Sequence, residues 1–316
     1  MDKNSFETLR LRMGDRYFGQ RMRMQALQVA VKLSGSKTRF YWENVKALPR
    51  ALNILLHASG MLGRAQLNAL QFAVEESDVY LDKLPAAFDG YRILQLSDLH
   101  IDKMLDDGER LATLVQTLDY DLCVMTGDFR FHTSGPFDKV LLNMQVLMRS
   151  IHANDGVLGI LGNHDYLEQV PGLEALGIRF LLNESISIQR DAERLWIAGV
   201  DDPHYYELHD LPRALSAVKE QQPVILLAHS PEMLEEAQKS GIAYYLCGHT
   251  HGGQVCLPGG TPLITNARCQ RQYVAGRWQY FGMPGYTSRG TGSSSLPVRL
   301  NCQPEVTLHT LHCAQE

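Results

Sequence analysis

The chain has 316 residues, 45% of them apolar, which is enough to bury a sizeable core in one large α/β domain with an appendage. Its net charge of −5 is unevenly laid out: residues 1–50 carry eleven Lys or Arg against four Asp or Glu, a balance of +7, leaving −12 on the rest. A basic arm on an acidic body points to an anionic contact for the arm and to cations for the body. The six cysteines form no C-x-x-C pair, which excludes zinc-finger spacing, and Cys123 and Cys247 sit inside apolar runs as small core residues. Arg10, Arg12, Arg16, Arg21 and Arg23 interrupt any signal-like apolar stretch near the N-terminus. The longest other candidate, Ala51 to Leu62, contains Asn53 and His57 and falls short of the ~20 apolar residues of a membrane span. A cytoplasmic location with reduced thiols is the resulting expectation.

Residues 1–83 read as a basic helical extension. Phe6, Leu9, Met13 and Tyr17 recur at three- and four-residue steps, as do Leu67, Leu70 and Val74, while Gly14 and Gly19 weaken the first helix. Leu84-Pro85 and Asp89-Gly90 mark the passage into a second unit, 84–316. There, short apolar runs alternate with helical periodicity. Strands are expected at Tyr91–Leu96, Leu122–Met125, Val157–Leu161, Leu195–Val200, Val224–Ala228 and Tyr244–Cys247. Helices are expected at Asp107–Leu118, Pro136–Ile151, Leu211–Glu220 and Pro231–Lys239. Tyr273–Ala275, Trp278–Phe281 and Val306–Leu311 read as strands without helices between them. Alternating strand and helix implies an α/β fold whose sheet is covered on both faces.

The chemistry gathers at strand ends. Asp98-Leu99-His100, Gly127-Asp128, Gly162-Asn163-His164-Asp165, His229 and Gly248-His249-Thr250-His251 each follow an expected strand. Sites in open α/β sheets form where loops leave the carboxyl ends of strands. Imidazole with carboxylate and no thiolate suits manganese, iron or zinc and disfavours an all-oxygen calcium or magnesium cage. Seven side chains exceed one tetrahedral centre but fit two divalent ions sharing a carboxylate, the ions being about 3.5–4 Å apart in such sites.

The order D-x-H, G-D, G-N-H-D, H, G-H-x-H across residues 92–251 resembles the calcineurin-like metallophosphoesterase superfamily. The resemblance implies a four-layer α/β/β/α sandwich and a dinuclear phosphohydrolase in which a metal-bridging hydroxide attacks phosphorus. It places one metal on Asp98, His100, Asp128 and His251, and the other on Asp128, Asn163, His229 and His249. It gives His164 a contact with the phosphate, stabilising charge or protonating the leaving oxygen. Gly248–Gln254, Ile197–Asp202 and Ser288-Arg289-Gly290 are similar to a bacterial branch that includes peripheral-membrane enzymes and a UDP-2,3-diacylglucosamine pyrophosphatase. Many relatives extend the second motif with a carboxylate or amide that orients the catalytic histidine. Here Phe131 stands at that place, leaving Asp165 as the nearest substitute in sequence.

Plainer readings hold elsewhere. His132, His152, His204, His209 and His309 lack such company and read as surface or ordinary core residues, and Asp201-Asp202 reads as a polar turn. Arg130 and Arg289 are candidates for phosphate contact, with a surface ion pair the alternative for Arg130 and an exposed glycine loop the setting of Arg289. Gly290-Thr291-Gly292 precedes no helix start and is only superficially a phosphate loop. Residues 1–50 are expected either to meet an anionic membrane surface or to pack as a cap or dimer contact. The expected substrate is a lipid-linked or nucleotide-linked phosphodiester or pyrophosphate. The alternatives are a soluble phosphodiesterase acting on nucleotides or nucleic acid, and a non-catalytic scaffold, which the intact ligand set disfavours.

Overall fold

The computed structural model describes residues 3–34, 47–219, 222–262 and 264–314. The stretch 35–46 of the basic arm lies outside them. Helices α1 (Lys3–Met13) and α2 (Asp15–Ser34) are followed by α3 (Ala47–Ala58) and α4 (Leu62–Asn68). Strands β1 (Ala73–Leu81), β2 (Tyr91–Leu96), β3 (Leu122–Met125), β4 (Val157–Gly159) and β5 (Ile178–Phe180) come next, with α5 (Glu109–Val115), α6 (Asp138–Met148) and α7 (Val170–Glu174) among them. The second half holds β6 (Glu184–Arg190), β7 (Glu193–Gly199), α8 (Leu211–Ala214), β8 (Val224–Leu227), α9 (Leu234–Lys239), β9 (Tyr244–Cys247), β10 (Gly276–Tyr280), β11 (Met283–Thr287) and β12 (Glu305–Cys313).

Two six-stranded sheets result, ordered β1-β12-β2-β3-β4-β5 and β10-β11-β9-β8-β7-β6. Successive strand side chains point to opposite faces, so the central strands feed two cores. From β2, Tyr91 and Ile93 turn inward to meet Leu195, Ile197, Ile225 and Leu246 between the sheets. Leu94 and Leu96 turn outward, under Leu111, Val140 and Met144 of α5 and α6. On the far side, Trp196, Leu226 and Tyr245 pack with Leu211 and Leu234 of α8 and α9. The layers are helix, sheet, sheet, helix.

The N-terminal arm is part of this core. Gly14, at φ +79°, breaks the helix between α1 and α2, a conformation that glycine adopts without a Cβ penalty. Leu9, Met13, Tyr17 and Phe18 then join the outer core of the first sheet. Charges of the arm are matched by acids of the body: Arg12 with Glu174 and Glu184 at 2.7 and 2.6 Å, and the fully buried Arg21 with Asp201 at 3.2 Å. Tyr17 Oη donates to the same Asp201 at 2.6 Å. The turn at Asp201-Asp202 is therefore buried, and Asp202 accepts from the amides of His204, Tyr205 and Tyr206.

Several local expectations are corrected. The helical reading of the stretch up to residue 83 fails after Asn68, because Ala73–Leu81 is a strand paired in parallel with β12. Its apolar groups alternate on one face, Val79 and Leu81 buried with Ser77, while Glu76, Asp78 and Tyr80 face out. Tyr273 ends a short 3-10 turn rather than a strand, and β11 occupies a Pro- and Gly-containing stretch where no strand was expected.

Breaking the buried pair should cost far more than trimming its periphery. Arg21→Met leaves Asp201 uncompensated and should lower unfolding free energy by ~3–5 kcal/mol, against ~1 kcal/mol for Tyr17→Phe. Urea denaturation checks the ranking.

Candidate metal centre

The loops leaving β2, β3, β4, β8 and β9 meet at one edge of the two sheets. Their approach is close: a Cβ on Gly127 would lie 2.7 Å from Gly162 N of the backbone, and one on Gly248 would lie 1.9 Å from the Ser97 side-chain Oγ. The turns are tight enough that Asp98, His100, Asp128, His249 and His251 all take positive φ, between 40° and 71°. Such left-handed backbone costs of order 1–3 kcal/mol per residue and persists only where surrounding bonds over-determine it. Here Asp98 N donates to Gly127 O at 3.0 Å and His100 N to Asp128 O at 2.9 Å.

Asp165 supplies the main tie. Its buried carboxylate accepts from Asp128 N at 2.7 Å, Gly162 N at 2.9 Å, Phe129 N at 3.0 Å and Gln169 Nε2 at 2.7 Å. One side chain thus fastens the Asp128 loop to the Asn163 loop. It is committed to three main-chain amides and the Gln169 side chain and does not orient His164. That place is taken by the main-chain carbonyl of Phe131, 2.5 Å from His164 Nδ1.

Three-residue groups of metal-binding side chains converge here: Asp98, His100 and His251; Asp128, His229 and His249; and His100, Asp128 and His164. In the first, His251 Nε2 lies 3.5 Å from Asp98 Oδ1 and 3.3 Å from His100 Nε2. In the second, His229 Nε2 lies 3.4 Å from Asp128 Oδ2, 3.2 Å from His249 Nδ1 and 2.8 Å from Asn163 Oδ1. Asp128 stands between them, its Oδ2 also 3.7 Å from His100 Nε2 and 3.9 Å from His164 Nε2. The ring nitrogens pointing away are held by carbonyls: His100 Nδ1 by Arg130, His229 Nδ1 by Thr126 and His249 Nε2 by Asn266, at 2.7–2.8 Å. Such bonds fix the tautomer and aim the other nitrogen inward.

The residues fit divalent cations. Asp98 Oδ2 accepts from Ser97 Oγ and His249 N, but its buried Oδ1 has no hydrogen-bond partner. An orphaned buried carboxylate oxygen beside His251 Nε2 calls for positive charge. Protonation tells the same story. Burial would lower His229, but Asp128 and Asp98 outweigh it and hold the imidazole protonated well above its ordinary range. Burial would raise Asp128, yet His229, His164 and His100 hold it well below. His249 is kept neutral by burial and by His204 and His229, and His251 by burial and by Arg299 and His100.

The arginines expected at phosphate are placed differently. Arg289 is half-buried and ion-paired with Glu75 and Glu305, which corrects the exposed-loop reading. Glu75 lies in the unforeseen β1. Arg130 is buried rather than on the surface; its guanidinium donates to Gly135 O and lies 5.0 Å from the centre of the Tyr166 ring. Gly290-Thr291-Gly292 braces the Asp98 loop, with Thr291 N donating to Ser97 O and Gly292 N to Asp98 O. Two residues near the centre were given no part there by the sequence: Arg299 was not singled out, and His204 read as a surface or ordinary core residue. Arg299, fully buried, donates to the carbonyls of His251 and Gly290, and His204 packs its ring 4.2 Å from that of His249 while pairing with Glu232. His309 is an ordinary core residue, bonded to Tyr244 and Gln95.

Facing sheets with Asp, Asn and His at their strand ends around one central carboxylate define a metal-dependent phosphoesterase. Residues 91–253 match the family described as calcineurin-like phosphoesterase, and the chain belongs to that family. It is 31% identical over 268 residues to the uncharacterized metallophosphoesterase YkuE of Bacillus subtilis, covering 81% of this chain and 91% of that protein. It is 28% identical over 229 residues to the phosphodiesterase YaeI of Escherichia coli, covering 69% and 81%. A bovine transmembrane protein with a metallophosphoesterase domain is 28% identical over 290 residues, 85% of this chain but 62% of that protein. Among the described residues here, no helix is long and apolar enough to cross a membrane.

Two predictions follow from the geometry. Asp128→Ala should lose metal and rate together, whereas His164→Ala should keep most metal and lose ~10²–10⁴-fold in rate; elemental analysis beside turnover separates them. Because His229 carries a proton that a cation must displace, metal uptake at neutral pH should release protons, and affinity should fall as pH is lowered. Calorimetric titration in buffers of different ionisation enthalpy reads both.

Proposed function

We propose that the protein hydrolyses a phosphodiester or pyrophosphate bond with two divalent cations, manganese being the preferred metal. Asp98, His100, Asp128 and His251 would hold one, and Asp128, Asn163, His229 and His249 the other. The observation that carries this reading is the position of Asp128, whose carboxylate groups with His229 and His249 on one side and with His100 and His164 on the other. When bound, such a pair supplies Lewis acidity to phosphoryl oxygens and lowers the pKa of a water.

The chain's own groups supply the rest. His164 retains 14% of its side-chain exposure, against 0–6% for the Asp98, His100, Asp128, His229 and His251 side chains, so it is the imidazole that meets substrate. Its Nδ1–H is fixed on the Phe131 carbonyl, leaving Nε2 to face the phosphate. There it hydrogen-bonds a phosphoryl oxygen or hands a proton to the departing one.

The preferred substrate is lipid-linked or nucleotide-linked, of the UDP-2,3-diacylglucosamine kind, met near an anionic membrane surface. Exposed Ile54 and Leu55 on α3, Met61 just before α4 and Leu67 on α4 support a lipid contact. Helix α4 connects to the centre, because Arg299 N donates to Ala65 O while the Arg299 side chain holds His251. The arm contributes less charge to such a surface than its sequence suggests, since Arg12 and Arg21 are matched internally.

Turnover of a bis-aryl phosphodiester, an aryl monoester and UDP-diacylglucosamine by metal-replete protein tests the reading. Diester or pyrophosphate cleavage should exceed monoester cleavage and vanish on chelation, with the fold retained. Activity confined to the soluble diester would favour a nucleotide or nucleic-acid phosphodiesterase; full activity after exhaustive chelation would refute the mechanism.

A further inference from the structure

Helix α2 buries an unusual face. Arg21, Gln25 and Gln28 stand at steps of four and three residues, on one side of the helix, and are 0%, 3% and 3% exposed. Amphipathic helices ordinarily bury apolar side chains on that side. All three polar heads here reach the main chain of one segment, the loop that carries Asn163 and His164. Gln28 Nε2 donates to Asn163 O at 3.2 Å, Arg21 Nη2 donates to Asp165 O at 2.7 Å, and Gln25 Oε1 accepts from Leu167 N at 3.0 Å. The helix side is itself braced. Tyr206 Oη donates to Gln28 Oε1 at 2.6 Å, and the Tyr206 ring lies 3.4 Å from the Arg21 guanidinium carbon.

This loop follows β4, after which the chain leaves the sheet, so its buried carbonyls and amides require partners from elsewhere. The peptide group joining Asn163 to His164 is clamped at both ends. Its carbonyl accepts from Gln28, and its N–H donates to Asp128 Oδ1 at 2.8 Å. Rotation of that single peptide plane would move the Asn163 amide and the His164 imidazole together. We propose that the polar face of α2 is a positioning element for the catalytic loop. Gln28 sets the Asn163–His164 peptide plane, and Arg21 and Gln25 hold the loop on its far side. None of the three touches substrate; they act through His164. The inference rests on the role given to His164 under the proposed function. It assigns the N-terminal arm a part in turnover that is separate from any contact with a surface.

The test is a double-mutant cycle in the full chain, with manganese present and a bis-aryl phosphodiester as probe. Gln28→Met preserves volume and removes the donor. It should lower kcat about tenfold while leaving KM nearly unchanged and lowering the thermal midpoint no more than Arg12→Met does, in line with the steep dependence of rate on placement of a reacting group. In a His164→Ala background the same change should cost less than about twofold, because the group being positioned is gone. Arg12→Met, which weakens the arm without reaching the loop, should lower the midpoint and leave kcat unaltered. A readout independent of activity comes from hydrogen exchange: Gln25→Met should speed exchange at the Leu167 amide, with β8 unaffected. Equal losses for Gln28→Met in both backgrounds, or losses that track the midpoint, would overturn the positioning role. Absence of diester turnover in the unaltered protein would instead count against the proposed function, and unchanged exchange at Leu167 would then separately overturn the grip of α2 on the loop.

Discussion

The buried carboxylate of Asp165 is the constraint on which the rest depends. Its acceptance of four donors lets the ends of β3 and β4 close to backbone contact, where glycines at 127 and 162 leave room. Closure holds Asp128 in a left-handed conformation that is uncommon outside glycine. That conformation aims the carboxylate between two groups of imidazoles. The ligand pattern, the orphaned oxygen of Asp98 and the protonated His229 all follow from loops held together against their local preference.

The division of labour among charged groups is physical rather than compositional. Where a charge is buried, another group meets it: Arg21 with Asp201, Arg289 with Glu305, His204 with Glu232. Removing one partner of such a pair leaves a desolvated charge, which makes these contacts specific even where their net contribution to stability is small. Around the metal centre the same logic is left incomplete by the protein alone, and a cation completes it.

Much of this was legible in the sequence, for identifiable reasons. Strands buried on both faces appear as unbroken apolar runs, so Tyr91–Leu96, Leu122–Met125 and Tyr244–Cys247 have the bounds that reading gives. Strand β1 escaped because it pairs on one side only and shows solvent Glu76, Asp78 and Tyr80 on alternate residues. Strand β11 escaped because Gly285 is there to admit the Trp278 ring, which a Cβ would meet at 2.1 Å. Asp98, His100, Asp128, Asn163, His229, His249 and His251 stood out by their order at strand ends, and these residues do come together. The partner of His164 could not be found the same way, because a main-chain carbonyl is common to every residue type. Nor could the grip of α2 on the loop, since Gln25 and Gln28 look like ordinary surface residues until Tyr206 and Asn163 close over them.

The strand order has a consequence for how the molecule comes into being. Strand β12 lies between β1 and β2, parallel to one and antiparallel to the other, although about two thirds of the chain separates it from them in sequence. During synthesis β1 and β2 emerge early and must wait with facing edges unpaired until residues 305–313 arrive. Contacts of such sequence separation slow folding and leave strand edges open to wrong partners in the interval. The loop ahead of β12 is also the one whose Thr291 and Gly292 brace Asp98, and Gly290 O in turn accepts from Glu305 N. The nascent chain therefore carries every residue of the Asp and His groups before the last braces on the Asp98 loop are in place.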